Sequence, residues 1–220
     1  MTSKIYFHIA TIGNYQEIFD EIYLKIFESN LIDVVDEVNL CIVGDKKLNI
    51  IEHEKIKLHR HLDETIGEFF TLDKIKSFSD LCRDNYKILY IHTKGVTTPN
   101  NSCIVDWRKY MTYFNVEEHF ECLNFLDQFD SCGVDLVSEP TIHYSGNFWW
   151  ANSSYIKQLP TIDEIKFPKI PPILSIRHNC EFWIGMGNGN HKSIWNSNIN
   201  VYERHLHKYP DNLYKVKKCL

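Results

Sequence analysis

The sequence predicts an α/β fold in which a mostly parallel, Rossmann-like central sheet is flanked by helices. Two observations support this prediction: short apolar runs alternate with helical patterns along the chain, and the first run is apolar enough to be buried on both faces. No internal repeat or linker divides the chain, whereas residues 209–220 are basic and poorly patterned. We therefore expect one domain over residues 1–208, followed by a tail or the start of a linker at 209–220.

The first half of the chain alternates strands with helices. Strands are predicted where apolar or alternating runs end in turn residues, and helices where apolar residues recur every three or four positions. The predicted strands are 5–10, 38–43, 55–59 and 88–91, and the predicted helices are 15–27 and 71–83. Asn14 lies at the N-cap position of the first helix, and Glu17 follows three residues later, as in a capping box.

The second half departs from this alternation. A helix is predicted over 107–127, with a kink or break near Asn115 because the apolar face shifts there. The remaining expectations are a strand at 133–137, a polar-aromatic segment at 143–151, a short helix at 152–159, a Pro-rich stretch at 167–172, a helical pattern at 177–185 and a turn at 185–190.

The composition excludes several classes of protein. The chain has 220 residues, 44% of them hydrophobic and 24% charged, which is typical of a globular protein and not of a disordered one. Its formal charge of -5, without a basic stripe, argues against nucleic acid as a partner. No apolar run approaches the roughly 18 residues that a membrane-spanning helix needs.

The cysteines indicate a reducing compartment. There are seven of them, an odd number, and no two are spaced as CxxC. This pattern is typical of free thiols rather than of a disulfide framework or a zinc site. We therefore expect the protein in the cytoplasm, which would be the host-cell cytoplasm if the protein is viral.

Two loops are the first candidates for a ligand site. In an open α/β sheet, ligands bind at the carboxyl ends of the strands, and here those ends are Ala10–Asn14 and His92–Gly95. Neither loop has a dinucleotide-binding or P-loop pattern, so a dinucleotide dehydrogenase or a P-loop hydrolase is disfavoured. The glycines of residues 185–189 follow a helical pattern and predict a surface turn rather than a phosphate loop.

The segment 143–151 is the third candidate, because it places Ser145, Gly146 and Asn147 beside two tryptophans. Amide and hydroxyl groups can bond the hydroxyls of a sugar, aromatic faces can cover its C–H surface, and glycine allows the backbone to come close. Trp149 and Trp150 fit a place in the core equally well.

Five segments taken as an ordered set resemble one family. They are Tyr6–Asn14, Tyr90–Val96, Asp106–Met111, His143–Ala151 and Cys180–Gly185. Together they are similar to GT-A-like glycosyltransferases of bacteria and large DNA viruses. The resemblance extends over roughly residues 4 to 205, so that the expected domain 1–208 would be GT-A-like.

The resemblance implies transfer of a hexose from a UDP-sugar to a hydroxyl of a glycan or glycoprotein acceptor, in viral surface-glycan synthesis. UDP-glucose or a related UDP-hexose such as UDP-rhamnose would be the donor, and a retaining course is slightly favoured. Further domains of the same polypeptide are possible partners. The residues implied are Ala10, Thr11, Ile12 and Asn14 for the uridine, His92, Thr93, Lys94 and Gly95 for the diphosphate, Ser145, Gly146 and Asn147 for the sugar, and Glu181 at the acceptor.

A divalent cation is an open question at the sequence level. The corresponding strand of the family ends in Asp-x-Asp, which holds a metal ion on the diphosphate, but here His92 and Lys94 stand at those positions. Either Mn²⁺ or Mg²⁺ on His92 with a nearby acid, Asp80 or Asp106, or Lys94 itself could neutralise the leaving group.

Three other side chains are candidates for chemistry or binding. Glu181 precedes an aromatic run and is the first candidate for a catalytic base, with Lys94 as the second catalytic group. Arg108 could bind phosphate through its planar guanidinium, or form a salt bridge with a nearby acid. Arg177 offers the same two alternatives.

Two other functions compete with the transferase. The first is a sugar-binding or nucleotide-sugar-binding module without catalysis, in which Lys94 replaces a lost metal site. The second is a metal-dependent hydrolase that uses His59 with His61, or His205 with His207, on one strand face. Neither histidine pair has a matched third ligand in the sequence.

Overall fold

A computed structural model describes residues 2–98, 100–165 and 175–215, and describes the backbone only for residues 175–178. The Pro-rich stretch at 167–172 and the side chain of Arg177 therefore lie outside the described part. The strands are β1 (Ser3–Ala10), β2 (Glu37–Val43), β3 (Ile56–His61), β4 (Lys87–His92), β5 (Ser131–Gly133), β6 (Leu136–Val137), β7 (His143–Tyr144), β8 (Trp149–Asn152) and β9 (His191–Ser193). The helices are α1 (Tyr15–Glu28), α2 (Leu31–Val34), α3 (Phe69–Leu81), α4 (Ser102–Thr112), α5 (His119–Phe125), α6 (Ser153–Ile156) and α7 (Ser175–Phe182).

A seven-stranded sheet organises the fold, in the order β3-β2-β1-β4-β8-β5-β9. Four of its six strand pairs are parallel, and β8 runs antiparallel to both of its neighbours. The predicted α/β class with a mostly parallel sheet flanked by helices is confirmed. The order β3-β2-β1-β4 matches the first four positions of the 3-2-1-4-5-6 strand order of dinucleotide-binding folds.

Side-chain alternation along β1 divides the core into two layers. Ile5, Phe7 and Ile9 belong to the layer that includes the apolar face of α1, whereas Tyr6 belongs to the layer that includes α3. His8 points to the same side as Tyr6, because successive side chains of a strand alternate. Its partner in the parallel register is His92 of β4, so the two imidazoles lie side by side at one end of the sheet.

The aromatic segment supplies a central strand. β8 pairs with β4 on one side and with β5 on the other. Trp149 and Trp150 are both 0% exposed, and they belong to the two different core layers. Of the two predicted alternatives for the tryptophans, a place in the core or contact with a ligand, the structure supports the core.

The expected strand at 133–137 is wrong as one element. Asp135 has φ of 53°, a left-handed conformation that interrupts an extended chain. As a result β5 ends at Gly133 in the large sheet, while β6 pairs with β7 in a separate two-stranded sheet.

The predicted break near Asn115 is confirmed as a π-helical turn, Tyr113–Glu117, between α4 and α5. Two hydrogen bonds account for it: the Asn115 side chain donates to the carbonyl of Met111 at 2.9 Å, and the Trp150 indole donates to the carbonyl of Asn115 at 2.8 Å. α4 begins at Ser102 rather than near residue 107, because the Asn101 side chain caps it by accepting from two backbone N–H groups.

The capping box predicted for α1 is wrong. Asn14 precedes the helix, but its side chain accepts no backbone hydrogen bond and lies 3.5 Å from the Glu17 carboxylate instead.

The segment expected to be a tail packs against the domain as far as it is described. Tyr209 and Tyr214 are both 4% exposed and belong to the same core layer as α1. Arg204, just before them, forms a buried ion pair with Asp135. Folded structure therefore continues past residue 208. Among the helices in the described ranges, we find none with the length and apolar character to cross a membrane.

Candidate active site

A cleft of about 670 Å³ opens at the carboxyl ends of β1 and β4, where the sheet predicts a ligand site. Its walls come from separate parts of the chain, which the fold brings together. They are His8, Ala10 and Ile12 from β1 and its loop, 64–68 before α3, His92 at the end of β4, 93–98 after it, Ile104 and Trp107 of α4, Cys180 of α7, and His205. A cleft of this volume is large enough for a small organic ligand.

The base of the cleft carries the two adjacent histidines. Burial lowers the pKa of His8 to about 4, so this imidazole is neutral at pH 7. Its Nδ1 lies 2.9 Å from the Thr71 hydroxyl. The Nε2 of His92 lies 3.0 Å from the carbonyl oxygen of Gly146 and is therefore the nitrogen that carries the proton.

The contact between His92 and the carbonyl of residue 146 requires a glycine at that position. Its φ is 93°, and a Cβ atom at this position would lie 2.4 Å from the sulfur of Met111. A larger residue would push the turn away from α4 and remove its carbonyl from His92. The predicted close approach at this glycine thus serves the packing of the cleft wall.

Glu68 is a charged residue of the cleft that sequence reasoning missed. It lies just before α3, lines the cleft, and accepts hydrogen bonds at Oε2 from the Tyr90 hydroxyl at 2.7 Å and from Asn147 Nδ2 at 2.8 Å. Burial alone would raise the pKa of this carboxyl, but the influence of His92 and His8 and the bond from Tyr90 together lower it to about 2. Glu68 is therefore ionised at neutral pH.

A second hydrogen bond fixes the orientation of Asn147. Its Oδ1 accepts from the Trp149 indole at 2.9 Å, which leaves Nδ2 directed at Glu68. Asn147 is 3% exposed and Ser145 is 2% exposed. Both lie behind the cleft wall, so that Asn147 acts on the cleft through Glu68.

Lys94 follows the tip of β4 and lines the cleft, as predicted. Its Nζ lies 4.3 Å from the centre of the Trp107 ring, in a cation–π contact. Arg108 holds the loop by donating to the carbonyl of Lys94 at 2.9 Å, and its other nitrogens bond the two carboxylate oxygens of Glu21 at 3.2 and 2.7 Å. Of its two predicted alternatives, the structure supports the salt bridge.

The loops after β1 and β4 contact each other closely. Gly13 has φ of 54°, and a Cβ atom there would lie 2.0 Å from the carbonyl oxygen of Val96. Gly95 has φ of 92° and packs on Ile104 of α4. Two left-handed glycines thus allow the walls to meet at this end of the cleft.

The predicted uridine residues divide into two groups. Ala10 and Ile12 line the cleft, but Thr11 is buried behind it with its hydroxyl on the carbonyl of Val43, and Asn14 lies outside it. Thr93 lines the cleft and accepts from the backbone N–H of Ala10 at 3.3 Å.

A family model described as "Domain of unknown function (DUF8361)" matches residues 11–169. The chain belongs to this family. No curated protein matches the sequence.

The DUF8361 match includes most of the cleft. Ile12, Glu68, Lys94, Trp107 and the other lining residues between 64 and 107 fall within it. His8 and Ala10 precede the matched range, and Cys180 and His205 follow it. The carboxylate and the lysine of the cleft are thus both in the part that defines the family.

Two predicted acids lie away from the cleft of this DUF8361 chain. Asp80 is exposed and paired with Lys76, and it stands twelve residues beyond Glu68, about 18 Å along α3. Asp106 pairs with Lys208 at 3.3 Å. Neither Asp80 nor Asp106 is therefore among the residues that line the cleft with His92.

Glu181 follows Cys180 on α7 but is not among the residues that line the cleft. The neighbouring Cys180 carbonyl lies 3.4 Å from Asn147 Nδ2. Glu181 is partly exposed, next to the cleft rather than in it.

The described residues of this DUF8361 chain do not fit a protein-held divalent ion, since no group of three His, Cys, Asp or Glu side chains among them has ligand geometry. His59 instead bonds Asn39 at 2.8 Å. His205 and His207 do not lie on one face of a strand, because His205 is part of a 3₁₀ turn, Arg204–Leu206. The hydrolase alternative, which needs such a metal site, has no support in this part of the chain.

Proposed function

We propose that this chain is a glycosyltransferase that moves a hexose from a UDP-sugar to a hydroxyl of a glycan. One observation carries the proposal: a single cleft at the carboxyl ends of β1 and β4 has a lysine at the tip of β4 and an ionised carboxylate before α3. A sugar nucleotide offers the complementary chemistry, with an anionic diphosphate in its middle and hydroxyl donors at one end.

The residues take roles that follow from their chemistry. Ala10 and Ile12 provide an apolar surface for the uridine, and Lys94 neutralises the negative charge that builds on the diphosphate as the sugar bond breaks. His92 donates to Gly146 and so holds the turn that carries Asn147. Among the residues that line the cleft, we assign the neutralising role to Lys94.

The acceptor, a glycan or glycoprotein, would approach beside α7, where Glu181 could take the proton of its hydroxyl. The location that we propose is the cytoplasm, where thiols remain reduced. The six cysteines within the described residues are unpaired, and four of them are buried.

The test is binding and turnover of uridine nucleotides. Calorimetry should detect UDP binding to the purified chain, and a UDP-release assay with UDP-glucose, UDP-galactose and UDP-rhamnose should detect turnover, with and without Mn²⁺. A chain that binds no uridine nucleotide under either condition would end the proposal.

A non-catalytic module that binds nucleotide-sugars is the second candidate. It is favoured by the position of Glu181 outside the cleft and by the pKa of Glu68 of about 2, which makes Glu68 a poor proton acceptor. Binding of a UDP-hexose without release of UDP, across a panel of glycan acceptors, would support this candidate over the enzyme.

A further inference from the structure

The two oxygens of the Glu68 carboxylate have different surroundings. Tyr90 and Asn147 both donate to Oε2. Within the described residues, no hydrogen bond reaches Oε1, although Glu68 lines the cleft. An ionised carboxylate has about four acceptor positions, so that about two remain for a ligand.

The position of this carboxylate is rigidly defined. Its two partners are buried, Tyr90 at 0% and Asn147 at 3% exposure, and the Trp149 indole fixes Asn147 in turn. A side chain that is held by such a network is ordered before a ligand arrives. It loses little conformational entropy on binding, which increases its value for recognition.

We propose that Glu68 selects the sugar half of the donor, with Oε1 accepting hydrogen bonds from hydroxyls of the hexose. This inference rests on the proposed function and adds to it the residue that recognises the sugar. It also gives the donor a direction in the cleft: the diphosphate lies toward Lys94, and the hexose lies toward Glu68, because a carboxylate repels phosphate and attracts hydroxyl donors.

Three other titratable side chains of the cleft do not offer the same site. Glu64 also lines the cleft, but it is exposed to water, where a hydrogen bond to a ligand gains little over one to solvent. His8 is neutral at pH 7 and already contacts Thr71. His205 is exposed to water, like Glu64. The low pKa of Glu68 supports the same choice, since the acceptor remains charged throughout the physiological range.

The first experiment compares Kd values for UDP and for the UDP-hexose that binds best in the panel. Glu68→Gln keeps the size of the side chain and removes the charge, and it should weaken binding of the UDP-hexose about 10- to 100-fold, as expected for hydrogen bonds to a charged group, without weakening binding of UDP. Asp73→Asn is the matched control, because it removes one negative charge at an exposed position of α3. An unchanged ratio of the two Kd values in folded Glu68→Gln would overturn the inference.

The second experiment uses UDP-hexose derivatives that each lack one ring hydroxyl. At least one of them should bind the wild-type chain about as weakly as the parent compound binds Glu68→Gln, and Glu68→Gln should not distinguish that derivative from the parent. This arm separates hydrogen bonding from the general effect of charge on a nucleotide. The measurements on the wild-type chain require no variant. Equal affinity of the wild-type chain for every derivative would overturn the inference even if Glu68→Gln did not fold.

The two proposals can fail separately. A wild-type chain that binds neither UDP nor any UDP-hexose refutes the glycosyltransferase proposal itself. A wild-type chain that binds them, with an unchanged ratio in Glu68→Gln, leaves the proposed function standing and removes Glu68 as the sugar-binding residue.

Discussion

Removing the cation of the buried ion pair between Arg204 and Asp135 should destabilise the fold strongly. The side chains are 4% and 0% exposed, so neither charge is screened by water. Ser197 joins the pair: its backbone N–H donates to Asp135 Oδ1 at 2.7 Å, and its hydroxyl accepts from Arg204 at 2.8 Å. Arg204→Ala would leave a buried carboxylate without its partner, which costs about 3–5 kcal/mol.

For a chain of this length, about 1 kcal/mol corresponds to a change in Tm of about 2–4 °C, so Arg204→Ala should lower Tm by about 6–20 °C. Thermal unfolding followed by circular dichroism measures this change. Lys215→Ala is the matched control, because it breaks an exposed i,i+4 pair with Asp211, with side chains 38% and 59% exposed. That loss should stay below about 1 kcal/mol.

The pH dependence gives an independent check. Burial raises the pKa of Asp135 even beside Arg204, and without the arginine it should rise further. A folded-state pKa above the unfolded value means that the folded chain binds the proton more tightly, so stability falls as pH rises. The difference in Tm between Arg204→Ala and the wild type should therefore be smaller at about pH 5.5 than at about pH 8.

Replacing both partners should restore much of the stability, because no buried charge remains. Asn suits position 135, since it tolerates the φ of 53° there, and Met fills part of the space of the arginine. If Arg204→Ala lowers Tm no more than Lys215→Ala, or if Asp135→Asn with Arg204→Met is less stable than Arg204→Ala, the ion pair does not hold the segment as we argue.

Three further predictions concern the cleft. Lys94→Ala should weaken UDP binding about 10- to 100-fold, as expected for the loss of a hydrogen bond to a charged group. Lys47→Ala, which removes a lysine at an exposed position, should leave the Kd for UDP unchanged. Equal effects of the two substitutions would argue against binding of the diphosphate at Lys94. Asn147→Ala should reduce turnover of a UDP-hexose more than affinity for UDP, because Glu68 loses a hydrogen-bond donor. Asn147→Gly controls for backbone strain, since glycine tolerates the φ of 61° at this position. If the glycine variant loses turnover and UDP affinity equally, the cause is misfolding rather than the lost hydrogen bond. Glu181→Gln should leave the Kd for UDP unchanged and lower transfer to an acceptor about 10²–10⁴-fold, and transfer at the parental rate would exclude Glu181 as the base.

The sequence predicted those elements whose signal is local. The helix over 15–27 follows from apolar spacing alone, and the structure extends it by one residue, to Glu28. β1 and β4 are also close to their predicted bounds, since both are continuous apolar runs. The break at Asn115 was visible as a shift of the apolar face. In contrast, the place of β8 between β4 and β5 depends on pairing between distant segments, and no local pattern encodes it.

The location of the cleft was predictable for a geometric reason, because the carboxyl ends of parallel strands meet at one edge of the sheet. That reasoning found His92, Lys94 and Ala10. It could not find Glu68, which precedes a helix and resembles any exposed acid until the fold places it against Tyr90 and Asn147. Arg204 was missed for the same reason, since its partner Asp135 is 69 positions away in the sequence.

The charges of the cleft also bear on why a lysine can stand at the tip of β4. On the proposed function, a positive charge has to neutralise the diphosphate as the sugar bond breaks. Here Lys94 supplies a positive charge directly, and the carboxylate comes from Glu68 on another segment. For a ligand that is anionic throughout, attraction to Lys94 is offset by repulsion from Glu68, and a ligand that is neutral throughout gains little from Lys94. On the proposed function, this arrangement favours a molecule with an anionic portion and a hydroxyl-rich portion. The positions of Lys94 and Glu68 then determine the orientation in which that molecule binds.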